Sequence, residues 1–188
     1  QGSLEGYLDS TYVIPQLTTL CEAVQRYGTK MVAQLSCGTG KNAFANMYGE
    51  PPVSASAIPS MFNPELICRA LTVEEIKTIM KQFTYSAKLL KDAGFDAIEV
   101  HAHAGYLVDQ FMSAIWNKRE DEYGGSLEKR MRFAVEIVQS IRSAIGPDMP
   151  IIFRMAMKHN FEGGRTLEET LPLLKYLEDA GVDAFDID

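Results

Sequence analysis

Residues 101–111 read HAHAGYLVDQF. Two imidazoles two positions apart, a phenol at Tyr106, then a carboxylate and an amide are groups that bind oxygen, move protons or hold a metal. Three chemistries suit His101 and His103. As a metal clamp the pair would need a third protein ligand for zinc. The chain has three histidines, so only His159 is left to supply an imidazole. As packing residues they would fill a core or rim. As hydrogen-bond partners of an anionic or carbonyl oxygen they would work beside Tyr106 as a nearby acid. Two more polar side chains stand in short apolar runs, Gln34 in KMVAQL and Arg154 in PIIFRM.

These groups act together only if the fold brings them to one place. One phrase recurs along the chain: an amphipathic helix, a glycine, a short apolar strand. The first helix is expected over residues 15–27, with Leu17, Leu20, Val24 and Tyr27 on its apolar face, before Gly28 and KMVAQL. The second opens on Thr72-Val-Glu-Glu75, a capping box. Ile76, Met80, Phe83, Ala87 and Leu90 form its stripe, and Gly94 and FDAIEVHAH follow. The third starts near Ser126, carries Met131, Ala134, Ile137, Val138 and Ile141, and stops at Gly146-Pro147 before PIIFRM. The fourth opens on Thr166-Leu-Glu-Glu169, a second capping box, and runs through Leu171, Leu174 and Leu177 to Gly181 and VDAFDID.

Glycine suits the left-handed position just past a helix end. Strands alternating with helices imply right-handed parallel βαβ units, in a Rossmann-like sheet or a (β/α)₈ TIM barrel. No G-x-G-x-x-G follows a strand. The polar residues stand at the carboxyl ends of the strands, where barrel enzymes do their chemistry. A full barrel takes about 250 residues, and four units make half of one. The chain has 188 residues, starts without Met and ends on DAFDID, which reads as the middle of a strand. Residues 1–188 are therefore expected to be the central part of one barrel domain, incomplete at both ends.

Period-two alternation sorts the second strand. Glu99, His101 and His103 share one face; Ile98 and Val100 share the other. With the apolar pair toward the helices, both histidines face the interior. Glu99 on that face needs a cationic partner, and Arg154 on the next strand is the candidate. The two long connections, residues 37–71 and 104–125, have the length of functional loops. In the first, CGTGKN fails as a phosphate loop, because Leu35 replaces the required glycine and Asn42 the Ser/Thr. It reads as a glycine-rich turn that lets a flat ligand approach closely. In the second, NKREDEYGGSLEKRMRF mixes charges densely and is expected to stiffen the loop rather than to act in catalysis.

The composition is that of a globular protein, 46% hydrophobic and 23% charged. The net charge of −7 argues against non-specific nucleic-acid or anionic-membrane partners. No apolar run approaches the ~18 residues of a membrane span. Cys21, Cys37 and Cys68 are scattered, which fits a reducing cytoplasm and offers no cluster or metal motif.

Taken together, these residues resemble the old yellow enzyme family of flavin-dependent reductases, over essentially the whole chain. IEVHAHAGYLVDQFMSAIWNKREDEYGGSLEKRMRF is similar to the family's fourth-strand signature, and IIFRM to its fifth strand with an arginine. QLSCGTGK and PPVSASAIPS resemble the third-strand region of the branch with enoate and 2,4-dienoyl-CoA reductases. The resemblance implies a (β/α)₈ barrel that carries FMN at its carboxyl face, takes electrons from NADH or NADPH, and reduces an alkene activated by a carbonyl or carboxylate. It implies Gln34 on the flavin pyrimidine edge, Arg154 near the flavin N1–O2 locus, His101 on the substrate carbonyl and Tyr106 as proton donor. Ala104 stands where the family has its second substrate-binding residue and His103 comes one place earlier, so either histidine is a candidate. Lys41 replaces the family's usual arginine. The loops that carry the FMN phosphate site, and the iron–sulfur cluster and FAD of longer members, have no counterpart here. Two rivals stay open: a zinc-dependent barrel hydrolase using His101 and His103, and a catalytically inert half-barrel. Half a barrel leaves two strand edges unpaired, so self-association is expected.

Overall fold

A computed structural model describes residues 8, 10–46 and 49–188. Helix α1 spans Ile14–Gln25 and strand β1 Val32–Leu35. Two-residue strands β2 (Val53–Ser54) and β3 (Arg69–Ala70) pair with each other in the long connection that follows. Then come α2 (Val73–Asp92), β4 (Ala97–Ala102), α3 (Leu107–Met112), α4 (Leu127–Ile145), β5 (Ile151–Met155), α5 (Leu167–Ala180) and β6 (Ala184–Ile187).

The main sheet has the order β1-β4-β5-β6, parallel throughout. Strand order follows chain order without reversal. A doubly wound sheet reverses its order and so carries helices on both faces. Here each right-handed crossover lays its helix on the same face, which is the barrel arrangement in part. Ile98, Val100 and Ala102 of β4 and Ile151, Phe153 and Met155 of β5 are buried on the helical side. Glu99, His101, Ile152 and Arg154, of the opposite parity, are only half-buried.

The helix starts follow the local chemistry. Thr72 and Thr166 each form a complete capping box, with Glu75 and Glu169, and Ser126 caps α4. Such caps contribute about 1 kcal/mol each. Gly181 takes the left-handed cap at φ 113°. The expected stripes of α2 and α4 are buried, except that Met80 is half-buried.

Two stripes differ from expectation. In α1 only Cys21 is fully buried and Leu20 is exposed, and Tyr27, expected on the helix, lies exposed beyond its end at Gln25. In α5 the buried set is Thr170, Leu173, Leu177 and Ala180, and Leu171 points to solvent. Residues 170, 173, 177 and 180 fit the 3.6 period better than a run of leucines every third residue. Thr170 can be buried because its hydroxyl accepts from Arg165 and donates to Thr166 O.

The connection over 104–125 is not irregular throughout, since α3 lies inside it. Its charges do stiffen it. Arg119 pairs with Asp121 and donates to Ala55 O at 2.8 Å and Leu71 O at 2.7 Å, which fastens one long connection to the other. Asn117 Nδ2 bridges Phe111 O and Tyr123 O, at 2.7 Å each. Among the described residues no helix is long and apolar enough to cross a membrane.

The phase of α5 can be checked by urea unfolding. Leu177, 0% exposed, is expected to cost about 2–5 kcal/mol on truncation to Ala. Leu171→Ala, at a site 54% exposed, is expected to stay within about 0.5 kcal/mol.

Candidate functional site

The parallel register places the candidate side chains in rows. Gln34 lies opposite Glu99, His101 opposite Arg154, and Arg154 opposite Asp186. Side chains in register on one face are neighbours, so Gln34, His101 and Arg154 come from three adjacent strands to one face near their carboxyl ends. His103 and Tyr106 follow in the turn beyond β4. The rings of His101 and Tyr106 are 4.9 Å apart between centroids, those of His103 and Tyr106 5.2 Å, and the two imidazoles 6.0 Å. All five sequence candidates thus share one rim.

Their bonding departs from expectation at Glu99. Its partner is Gln34, whose Nε2 donates to the carboxylate, and not Arg154. Arg154 Nε donates to Asp188 Oδ2 at 2.9 Å and lies 3.6 Å from Asp186 Oδ2. The register explains this, because Gln34 stands directly across from Glu99 while Arg154 sits one pleat further along, beside the carboxylates of β6 and the residue after it.

Gln34 Oε1 accepts from His101 Nδ1 at 2.7 Å. With its proton on Nδ1, a neutral His101 ring presents a bare lone pair at Nε2. That Nε2 is buried and has no hydrogen-bond partner among the described residues. Burial, and after it the positive charge of His103 and Arg154, holds the His101 pKa below its usual value. His103 Nδ1 donates to Asp188 Oδ2 at 2.7 Å. Burial pushes the Asp188 carboxyl up, but hydrogen bonds from His103 and Arg154 outweigh it and the net shift is downward.

Sequence reasoning missed Gln110. It is fully buried; its Oε1 accepts from Lys41 N at 3.2 Å and Ser54 Oγ at 2.7 Å, and its Nε2 donates to Thr39 O at 3.2 Å and to Gly105 O. One amide thus joins the glycine-rich turn after β1 to the turn that carries Tyr106. A Cβ on Gly40, at φ +58°, would overlap that amide, so this turn needs glycine for close approach as well as for its backbone. The visible signal was the carboxylate–amide pair Asp109-Gln110 just after Gly-Tyr-Leu.

His159, the third imidazole that a zinc site would use, lies elsewhere. Its Nε2 donates to Asp109 Oδ2 at 2.9 Å in a buried pocket of polar groups. Among the described residues no three His, Cys, Asp or Glu side chains converge as metal ligands. The three cysteines are free thiols in separate places.

The model of the family described as NADH:flavin oxidoreductase / NADH oxidase matches residues 7–188. The chain belongs to this family. Over 184 residues it is 42% identical to a cinnamate reductase of Clostridium sporogenes, an alignment that covers 90% of this chain and 28% of that protein. Among solved structures, a 2-naphthoyl-CoA reductase in complex with 2-naphthoyl-CoA superposes with a TM-score of 0.84 at 33% identity, over 96% of this chain and 29% of that one. An old yellow enzyme homologue from Zymomonas mobilis gives a TM-score of 0.80 at 26% identity, over 97% of this chain and 56% of that one. As a member of the NADH:flavin oxidoreductase / NADH oxidase family, the chain therefore spans between about a quarter and just over half the length of the proteins it matches. These old yellow enzyme neighbours are TIM barrels, and the four-stranded sheet described above is part of one.

The state of His101 is directly measurable. By nitrogen NMR of the histidine rings it is expected to stay neutral at pH 7 and to titrate below the ordinary value of about 6.5. A midpoint at or above that value contradicts the environment described.

Proposed function

We propose that the chain is the central part of a single FMN-binding barrel, in an oxidoreductase that takes electrons from NADH or NADPH and reduces an alkene conjugated to a carbonyl or carboxylate. One observation carries this reading: the unpartnered, buried Nε2 of His101, beside Tyr106, on a strand-end face that also bears Gln34 and Arg154. A buried polar atom without a partner costs free energy, and a ligand N–H or O–H donor at that point would relieve it.

The donor set fits a flavin. The Gln34 amide offers both N–H donors and an acceptor oxygen, matching a pyrimidine edge that alternates N–H and C=O. The Arg154 guanidinium donates only, and its charge suits the N1–O2 side, where negative charge collects. When bound, FMN supplies the hydride chemistry that amino acids lack.

The remaining work falls to the chain's own residues. His101 or His103 holds the substrate oxygen. For His101 to donate to a substrate carbonyl its ring proton must sit on Nε2, which a ligand donor that takes over Gln34 Oε1 would permit. Reduction of a conjugated alkene builds negative charge on that oxygen, and a fixed donor there lowers the barrier. Tyr106 delivers a proton to the α-carbon. The relative named a cinnamate reductase supports an enoate as substrate class. The zinc-hydrolase rival loses its third imidazole to Asp109.

Beyond this site, β1 and β6 each have one neighbour in the sheet. We read both edges as places where further strands close the barrel; in their absence they favour self-association. Free thiols at all three cysteines agree with a cytoplasmic setting. An iron–sulfur cluster or FAD, if the protein carries either, is held by residues outside this chain.

Rapid-mixing kinetics of the flavin-loaded protein test the reading. Tyr106→Phe is expected to slow oxidation of the reduced flavin by alkene by about 10²–10⁴-fold. Reduction by nicotinamide should be unchanged. Equal losses in both half-reactions would make Tyr106 structural. Ala replacement of the histidine that holds the substrate oxygen should weaken binding of a phenolic ligand by about 1–3 kcal/mol, and replacement of the other should not.

A further inference from the structure

A buried cluster of polar side chains lies behind Tyr106. Asp109 is 0% exposed, and its carboxylate takes four donors: Arg165 Nη1 at 2.7 Å, Gly105 N at 2.7 Å, His159 Nε2 at 2.9 Å and Ser113 Oγ at 3.4 Å. Arg165 is itself buried and gives its other N–H groups to Thr170 Oγ1 at 2.9 Å, Ala156 O at 2.9 Å and Ser113 Oγ at 3.2 Å. His159 Nδ1 accepts from Arg165 N at 3.0 Å. A ring that accepts at Nδ1 carries its proton on Nε2, which is the atom aimed at Asp109.

Stability alone is a weak reason for such a cluster. Desolvation of a buried ion pair offsets most of its attraction, and apolar residues of similar volume often serve as well. Geometry gives a better one. Asp109 occupies the third position of α3, where a capping carboxylate ordinarily takes the N–H of the N-cap residue. The N-cap here is Tyr106, and its N–H goes instead to His103 O at 3.0 Å. The Asp109 carboxylate reaches one residue further back, to Gly105 N, while Gln110 holds Gly105 O. Both backbone polar groups of the residue before Tyr106 are therefore gripped by buried side chains. Gly105 has φ +78°, and a Cβ there would lie 3.1 Å from Asn42 Nδ2 and 3.5 Å from Trp116 Cη2. The peptide that launches the Tyr106 side chain has little room to tilt.

We propose that Asp109, pinned by Arg165 and His159, is a positioning residue that sets the Tyr106 ring against His101 and His103 for proton delivery. The proposal rests on the reading of Tyr106 as proton donor. It also gives the β5–α5 connection, which supplies Arg165 and His159, a part in the reaction without contact to substrate. A misplacement of about 1 Å at a reacting group can cost about 10²-fold in rate.

A double-mutant cycle in the flavin-loaded protein tests it, with Asp109→Asn, Tyr106→Phe and the pair together. Asn keeps the size of Asp109 and one acceptor oxygen but turns an N–H₂ group either toward the Arg165 donor or toward the His159 and Gly105 donors. Asp109→Asn is expected to slow alkene-driven oxidation of the reduced flavin by up to about 10²-fold. Flavin content and reduction by nicotinamide should be unchanged. The double variant should be no slower than Tyr106→Phe alone, because no acid is left to position. Losses that multiply, or Asp109→Asn at the wild-type rate beside a slow Tyr106→Phe, overturn this proposal alone. A Tyr106→Phe variant as fast as wild type overturns the reading of Tyr106 and this proposal with it. If Asp109→Asn does not fold, His159→Leu carries the same cycle, since Arg165 still neutralises Asp109. A smaller loss that does not multiply with Tyr106→Phe supports the proposal, and a multiplying one overturns it.

Discussion

The site depends on the parallel register of β1, β4 and β5. It sets Gln34 against Glu99 and His101 against Arg154, and by parity it turns all four to the face away from the helices. A slip of one residue would send His101 and Arg154 into the apolar layer beneath α2 and α4 and bring Val100 and Phe153 to the rim. That layer prevents the slip. Ile98, Val100, Ala102, Ile151, Phe153 and Met155 are all buried there, against helices whose caps fix where each begins. Burial of apolar side chains on one face thus fixes the chemistry on the other.

A second layer of control lies in the turns. The chain leaves β4 through His103, Ala104 and Gly105, and the polar groups of Gly105 are taken by Asp109 and Gln110. Gln110 reaches across to the turn after β1, and Asp109 to the connection after β5. Three strand-end connections are joined through one short helix, and Tyr106 is its N-cap. The rim is therefore one polar unit whose parts come from all over the sequence.

Much of this was legible beforehand. Repeated helix, glycine and strand phrases, two capping boxes and the alternation in FDAIEVHAH indicate the order of the four long helices and the strands of the main sheet and the facing of His101, while β2, β3 and α3, and the place of His103 in the turn beyond β4, were not legible. The absence of a dinucleotide glycine motif favoured the barrel, and the unreversed strand order agrees. Other features were hidden for physical reasons. Leu171, Leu174 and Leu177 looked like one stripe because leucine outweighs threonine on any apolar scale. The actual stripe includes Thr170, which is buried only because Arg165 and Thr166 satisfy its hydroxyl. Arg154 looked like the partner of Glu99 because parity does not give register. His159 was weighed only as a ligand, since nothing local ties it to Asp109, 50 residues earlier, or Arg165 to Asp109, 56 residues earlier. Partnerships of that span are made by the fold.

The central claim is that the face bearing Gln34, His101 and Arg154 holds a flavin. The most direct measurement is the visible absorption spectrum of the full-length protein that contains this chain, with its flavin and zinc contents determined after denaturation. A yellow full-length protein that releases one FMN per polypeptide is expected, with that content lowered by Gln34→Leu together with Arg154→Leu. A colourless protein whose activity depends on zinc, or a yellow one whose FMN content is indifferent to both substitutions, would contradict it.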